Sequence, residues 1–306
     1  MSVVMLVAHH ERPEAAALAA QAERWLRDRG HAAVLPQADA EALGLPALAA
    51  PEGATTPVLA ISLGGDGTML RTVELVGEAG VPILGINVGM LGYLTEVEPS
   101  ALCSALERFF DGNYRIEERM CLDIEVVRRA SSNDSGDGRS GEQTDAEGPS
   151  STATAGSVHH RALNEAVLEK RETGHTVRML VRIDGEAFTT YAADALIVAT
   201  PTGSTAYSLS ARGPIVSPAH RALLLTPVSP HMLFDRTLVL DPDELVEIEL
   251  LGHRAADLSV DGRRVANLAE GDAIRCRPAL EPVRLIRFGS RRFHQILKAK
   301  FGLADR

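Results

Sequence analysis

Apolar residues follow two different rhythms along this chain. Up to residue 110 they come as short continuous runs alternating with stretches of helical period. Residues 1–8, MSVVMLVA, alternate little and are rich in valine, as a strand buried on both faces would be. Pro13 opens a helical stretch, PEAAALAAQAERWLRDRG, that stops at Gly30. A short run, AAVLP, follows, and residues 37–57 are rich in Ala and Pro with no assignable period. VLAISL at 58–63 is a second buried-strand run, leading straight into glycines. A helical period over 68–78 ends at Gly80, VPILGIN is the next strand, and residues 99–110 are the next helix. This alternation predicts βαβ units and a parallel sheet, an α/β domain over residues 1–115.

The rhythm changes after Tyr114. RIEERMCLDIEVVRR is strand-like, and TVRMLVRIDGEAFTTYAADALIVAT sets an Asp-Gly turn between alternating runs, which is hairpin grammar. VEIELLG and DLSVDGRRV continue it, with Asp261-Gly262 as another turn. A β-rich domain is therefore predicted over residues 116–281. Residues 282–306 form a C-terminal segment in which SRRFHQILKAKFG returns to a helical period and is expected to pack back on the N-terminal domain. Residues 130–156 contain no Leu, Ile, Val or aromatic residue. They cannot bury enough apolar surface to offset their ordering entropy, which predicts a disordered insert between two strands.

Composition narrows the function classes. The chain has 306 residues, 45% apolar and 24% charged, the balance of a soluble globular protein. No apolar run approaches the ~18 residues that span a bilayer. The N-terminus lacks the basic flank and cleavage site of a signal peptide. Cys103, Cys121 and Cys276 stand alone, an odd count of scattered thiols that suits a reducing, cytoplasmic setting. A formal charge of −10 argues against a nucleic-acid partner, though not against a local basic pocket.

Candidate chemistry gathers in the loops that follow strands. In SLGGDGTML, Gly64, Gly65 and Gly67 surround Asp66, and a helix begins with Thr68. No lysine completes a P-loop, and Leu70 stands where a dinucleotide fingerprint needs its last glycine. What remains is a helix N-terminus offering free N–H groups to an anion, or a tight turn in which Asp66 is an ordinary cap. GINVGMLGY, with Gly85, Gly89 and Gly92, follows the next strand, so the two loops would share one crevice beyond the sheet's carboxyl edge. TPTGSTAYSLSARGPIVSP is dense in hydroxyls, good for holding a sugar or base, or else a cluster of Ser/Thr turns. ALNEAVLEK sets a polar pair, Asn164-Glu165, in an apolar run where something must satisfy it.

GGDGT before a helix, then NVGMLGYL, LNE and TPTGSTAYSLSARGPIVSP, in this order, resemble the NAD kinase family. The resemblance implies a Rossmann-like N-terminal α/β domain and a C-terminal β-sandwich, with NAD between them. It implies transfer of the γ-phosphate of ATP, or a phosphate of polyphosphate, to the adenosine ribose 2′-hydroxyl, giving NADP. On the matching motifs, Asp66 is the catalytic base, and Gly64, Gly65, Gly67 and Thr68 form the phosphate-donor loop. NAD contacts fall on Asp66, Gly67, Arg71, Asn164, Glu165, His175 and Asp194, and on Thr205, Ala206, Tyr207, Ser208, Leu209 and Ser210. Arg263 departs from the Gln that many bacterial relatives carry after Asp-Gly. Mg²⁺ is expected from the electrostatics of phosphoryl transfer and not from any ligand cluster, and a homodimer or homotetramer is the expected assembly.

The residues also answer why a carboxylate sits among the glycines. A kinase acting on a hydroxyl needs a group that orients the nucleophile and receives its proton. Two rivals share the loop. A lipid kinase would show a second loop of the form GTGND where this chain has NVGMLGYL. A sugar-phosphate kinase would show clustered arginines near the glycines. A non-catalytic NAD-binding module would gain nothing from Asp66 at a phosphate-rich site. His9-His10 and His159-His160 read as surface pairs and not as metal sites.

Overall fold

In the computed structural model, which describes residues 1–51, 55–89, 92–129, 158–289 and 292–303, the N-terminal valine run forms β1 (Val3–Ala8). Pro at the first turn starts α1 (Pro13–Arg27), and Gly30 follows with φ +79°, the left-handed conformation that ends helices. β2 (Ala32–Val34) comes next. The Ala/Pro-rich stretch contains a short α2 (Gln37–Ala42) that buries Asp39 and Ala40. β3 (Leu59–Gly64) is buried throughout and runs directly into α3 (Asp66–Val76). β4 (Ile83–Asn87), α4 (Leu102–Phe110) and β5 (Arg115–Arg119) complete the N-terminal part.

β1 pairs in parallel with β2 and β3, and β3 in parallel with β4, with Gly64 opposite Asn87. α1 and α4 pack on one face of this sheet through Leu18, Ala22, Leu26, Leu102 and Leu106; α3 covers the other through Met69, Val73 and Val76. Parallel strands with helices on both faces need near-continuous apolar runs, which is what the sequence supplies.

The chain then leaves for two six-stranded antiparallel sheets. Their strands are β6 (Leu122–Val127), β7 (Val158–Ala162), β8 (Glu165–Lys170), β9 (Val177–Ile183), β10 (Glu186–Ala193) and β11 (Ala195–Ala199). After the short α5 (Tyr207–Ser210) follow β12 (Leu223–Val228), β13 (Leu238–Leu240), β14 (Val246–Leu251), β15 (Ala256–Val260), β16 (Arg263–Leu268) and β17 (Ala273–Pro278). One sheet has the order β10-β9-β14-β17-β6-β7, the other β13-β12-β11-β8-β15-β16. Their inner faces share one core, with Ile124, Leu168, Met179, Leu196 and Ile248 fully buried. The Asp184-Gly185 and Asp261-Gly262 turns take positive φ at both residues, as two-residue hairpins require.

The chain returns as β18 (Val283–Arg287), which inserts between β4 and β5, and ends in α6 (Phe293–Lys300). Two features differ from the pattern reading. RIEERMCLDIEVVRR is not one strand: it breaks at Met120–Cys121, so β5 completes the first sheet and β6 opens the sandwich. Alternation alone shows that a segment is a strand, not which sheet it joins. Residues 283–287 add a strand to the N-terminal sheet, one in from its edge, that precedes the expected helix. Among the described residues no helix is long and apolar enough to cross a membrane.

The insert at 130–156 lies outside the described residues. Its flanking strands are adjacent and antiparallel, with Val126 opposite Val158. Loop closure costs change by only about 0.6 kcal/mol per doubling of length, so joining β6 to β7 by a short turn, about three halvings of the connection, is expected to raise stability by no more than about 2 kcal/mol. A thermal melt and a turnover assay check this. A melt lower by several degrees together with lost turnover would show that the segment packs or regulates.

Candidate active site

β3 delivers the glycines to the carboxyl edge of the sheet, and α3 starts at once. A Cβ on Gly64 would lie 2.1 Å from Thr68 Oγ1, so only glycine permits this tight entry. Asp66 is the first helical residue, and its carboxylate does not cap its own helix. It reaches to the neighbouring glycine loop, where Oδ2 accepts from Tyr93 N (2.9 Å) and Oδ1 from Leu94 N (3.0 Å). A Cβ on Gly92 would come within 2.2 Å of Asp66 Oδ1, which is why that loop needs glycine there. Lys300, at the end of α6, places Nζ 3.9 Å from Asp66 Oδ2 and 4.0 Å from the centre of the Tyr93 ring. Burial, and then the Asp66 charge, push the Tyr93 hydroxyl above its ordinary pKa.

On one side of Asp66 lies a basic cavity of about 620 Å³, lined by Gly65, Gly67, Thr68, His10, Arg12, Arg71 and Lys300 among others. Its wall is held by Asp39, which is 1% exposed. Asp39 accepts from Ala8 N (2.9 Å) and Arg71 Nη2 (2.6 Å), and its Oδ1 is 2.9 Å from His10 Nε2. Arg71 Nη2 also donates to Ala8 O. The motif that marks Arg71 gives no sign of Asp39, which sits in the segment without a period. No spacing links Asp39 to Arg71; only the parallel pairing of β1 with β3 brings α2 against α3.

On the other side lies an interdomain cavity of about 670 Å³, bordered by Tyr93 and Thr95 from the N-terminal domain and by Thr202 and Thr205 from the sandwich. Its charged wall is Glu96, Glu117, Arg119 and Arg287. Arg119 pairs with Glu117 and donates to Thr202 Oγ1 (3.3 Å), while Arg287 donates to Leu94 O (2.9 Å) and lies 3.4 Å from Glu117. Burial pushes the Glu117 carboxyl up, but the Arg119 and Arg287 guanidiniums together outweigh it and hold the pKa below its ordinary value.

The sandwich presents the Asn164-Glu165 pair through a third turn. Asp261 accepts from three successive backbone N–H groups: Leu163 (2.8 Å), Asn164 (2.8 Å) and Glu165 (3.0 Å). The hydroxyl-rich loop closes on the same pair. Thr200 N donates to Asn164 O (2.8 Å), and a Cβ on Gly203 would sit 2.1 Å from that oxygen. Glu165 is 6% exposed, and its Oε2 has no partner among the described residues. Burial and the Asp261 charge, partly offset by a hydrogen bond from the Tyr207 backbone, push its pKa up to about 8.

The remaining predicted residues divide. Tyr207 is 39% exposed, and its hydroxyl is pushed up by burial and by the charges of Glu169 and Asp194. Asp194 pairs with Lys170 at 2.5 Å. Thr205 lines the interdomain cavity, Ala206 and Leu209 are half-buried, and Ser210 is exposed. Ser208 is fully buried, and its hydroxyl faces inward to Thr226 (3.1 Å). His175 is exposed in the turn between β8 and β9, makes no hydrogen bond among the described residues and lines neither cavity. Arg263 pairs with Glu74 of α3, across the two domains. Among the described residues no three His, Cys, Asp or Glu side chains gather as a metal site.

Two family models match the chain: the ATP-NAD kinase N-terminal domain over residues 4–114 and the ATP-NAD kinase C-terminal domain over residues 163–288. The chain is 40% identical over 302 residues to the NAD kinase of Heliobacterium modesticaldum, covering 98% of each. It is 34% identical over 313 residues to the NAD kinase of Geobacter sulfurreducens, covering 100% of each. The fold is similar to yeast NADH kinase complexed with NADH (TM-score 0.83, 24% identity, 100% of this chain and 89% of that one). It is also similar to an NAD kinase from Archaeoglobus fulgidus in complex with ATP (TM-score 0.66, 20% identity, 98% and 96%).

Proposed function

Because the chain belongs to the ATP-NAD kinase family, we propose that it transfers the terminal phosphoryl group of ATP to the adenosine ribose 2′-hydroxyl of NAD, with Asp66 as the base. The observation that carries this reading is the position of Asp66 between two cavities. Of its two backbone partners, Tyr93 and Leu94, Tyr93 lines the interdomain cavity, while its own loop lines the basic one. A ribose entering from the first meets a phosphate entering from the second at one carboxylate. Each carboxylate oxygen bonded to one backbone N–H retains acceptor capacity, so Asp66 can take the hydroxyl proton as the new bond forms.

The donor's phosphates fit the basic side. Gly65 and Gly67 let them approach the N-terminus of α3, whose free N–H groups favour an anion. The Archaeoglobus relative was solved with ATP, and polyphosphate offers the same repeating anion to such a wall. A divalent cation here would rest on the donor's own phosphate oxygens, with Asp66 and Glu11 the carboxylates lining that cavity. When bound, it would neutralise charge on the transferred group. NAD would extend from Asp66 toward Asn164, Glu165 and the loop from Thr205 to Tyr207, and a cytoplasmic homodimer or homotetramer belongs to the same reading.

Formation of NADP from NAD, or of NADPH from NADH, with ATP or polyphosphate plus Mg²⁺, tests the assignment, and absence of product with every pairing refutes it. Tyr207→Ala is expected to weaken NAD by about 1–3 kcal/mol, the scale of lost stacking on a base. Unchanged NAD affinity in a titration would remove this ring from the site.

A further inference from the structure

Arg12, Arg71 and Lys300 are the cations lining the basic cavity, and they are not equivalent. Arg71 is tied to Asp39 and Ala8 O, and His10 to Asp39. The Arg12 and Lys300 side chains make no hydrogen bond among the described residues, and of these two Lys300 is the one within 4 Å of Asp66. At 3.9 Å its ammonium is too far from Oδ2 for a hydrogen bond, and its side chain is 27% exposed. The Tyr93 ring, 4.0 Å away, steadies the cation by its quadrupole without consuming a donor. Three N–H donors are thus available at the mouth of the donor cavity, beside the carboxylate that must tolerate an incoming phosphate.

A carboxylate base next to a phosphate chain raises an electrostatic difficulty. Two anions brought together in a partly desolvated site repel, and the base has to remain ionised to accept a proton. We propose that Lys300 is a further catalytic residue: its ammonium bridges Asp66 and a non-bridging oxygen of the donor's terminal phosphate. This rests on the kinase reading above. As the ribose oxygen–phosphorus bond forms, the bond from that phosphorus to the donor's bridging oxygen breaks. The electron pair leaves with the shortened donor, and the hydroxyl proton passes to Asp66. Lys300 keeps its proton throughout and stabilises charge that moves onto the phosphoryl oxygens. The motif reading placed no function on the C-terminal helix; its last turn carries this cation into the site.

Lys300→Met keeps the stem over Tyr93 and removes the charge; Lys300→Arg keeps the charge. The Met variant is expected to lose roughly 10- to 100-fold in kcat, below the cost of a fully enclosed donor because the group is partly solvated. Its KM for ATP should rise several-fold, its NAD dissociation constant should stay within about two-fold, and the Arg variant should recover most of kcat. A Met variant kinetically equal to the parent overturns the proposal. So does a parallel loss of NAD affinity and melting temperature that Arg does not rescue, since Lys300 would then merely pack. A parent chain that makes no NADP overturns the kinase reading, and this proposal with it.

Discussion

Asp66→Asn is expected to lower kcat by roughly 10²- to 10⁴-fold, the usual worth of a positioned general base. NAD should bind within a few-fold of the parent, since the side chain keeps its size. The amide differs from the carboxylate in two ways. It cannot take the ribose proton, and it can accept from only one of the two N–H groups, Tyr93 and Leu94, that the carboxylate satisfies. The second N–H would face an NH₂ group, which costs about 1 kcal/mol of a lost hydrogen bond. A small drop in melting temperature should therefore accompany the much larger drop in turnover. Comparing the two effects separates the roles: a structural residue would show them in proportion. Near-parental turnover with normal NAD binding would refute the assignment and return Asp66 to a loop tie, with Glu165 and Asp194 as the next candidates for the base.

Glu165→Gln should do the reverse, strengthening the fold at alkaline pH while weakening the ligand. The folded-state pKa of Glu165 is about 8 against an ordinary 4.5. Between those values the folded chain holds a proton that the unfolded chain has released, so stability falls as pH rises through the window and levels off above it. At about 1.4 kcal/mol per pH unit the ceiling is roughly 5 kcal/mol, and water entry and the shared field of Asp261 bring the expectation to about 2–4 kcal/mol. Gln keeps an acceptor for the Tyr207 N–H and never ionises. Denaturant midpoints of parent and variant from pH 5 to 9 should diverge in the variant's favour as pH rises. Parallel curves would show that Glu165 is charged and paired in the fold. Under the proposed function the same change removes a ligand contact, so affinity for NAD should fall as stability rises.

What could be seen in the sequence was local. β1, β3 and β4 announce themselves because strands buried on both faces need unbroken apolar runs, and the Asp184-Gly185 and Asp261-Gly262 turns because few residues tolerate positive φ twice. The loops of the site are visible for the same reason: glycines at 64, 92 and 203 leave room for a neighbour's atom. The neighbours themselves are not visible. That Asp66 binds the backbone at 93 and 94, that Asp39 anchors Arg71, or that β18 pairs with β4 depends on pairings between distant segments, which no local period encodes. Ser208 illustrates the limit from the other side. A hydroxyl in a polar loop suggested an outward contact, but the single turn of α5 points it into the core against Thr226.

The late return of β18 sets an order of events during synthesis. Among the described residues β5 has β18 as its only sheet neighbour, and β4, buried throughout, borders β18 on its outer side. While a ribosome is still making the sandwich, β5 has nothing to pair with and β4 is a bare apolar edge, the kind of surface that invites wrong partners and chaperones. The sandwich has no such debt, because its twelve strands pair among themselves. It can close first and then present β5 and β18 together at the two chain crossings. The N-terminal domain, although made first, is finished last, and the segment that finishes it also brings Lys300 to Asp66. A polypeptide stalled before residue 283 would leave β4 without its outer neighbour and would lack that cation at the catalytic loop.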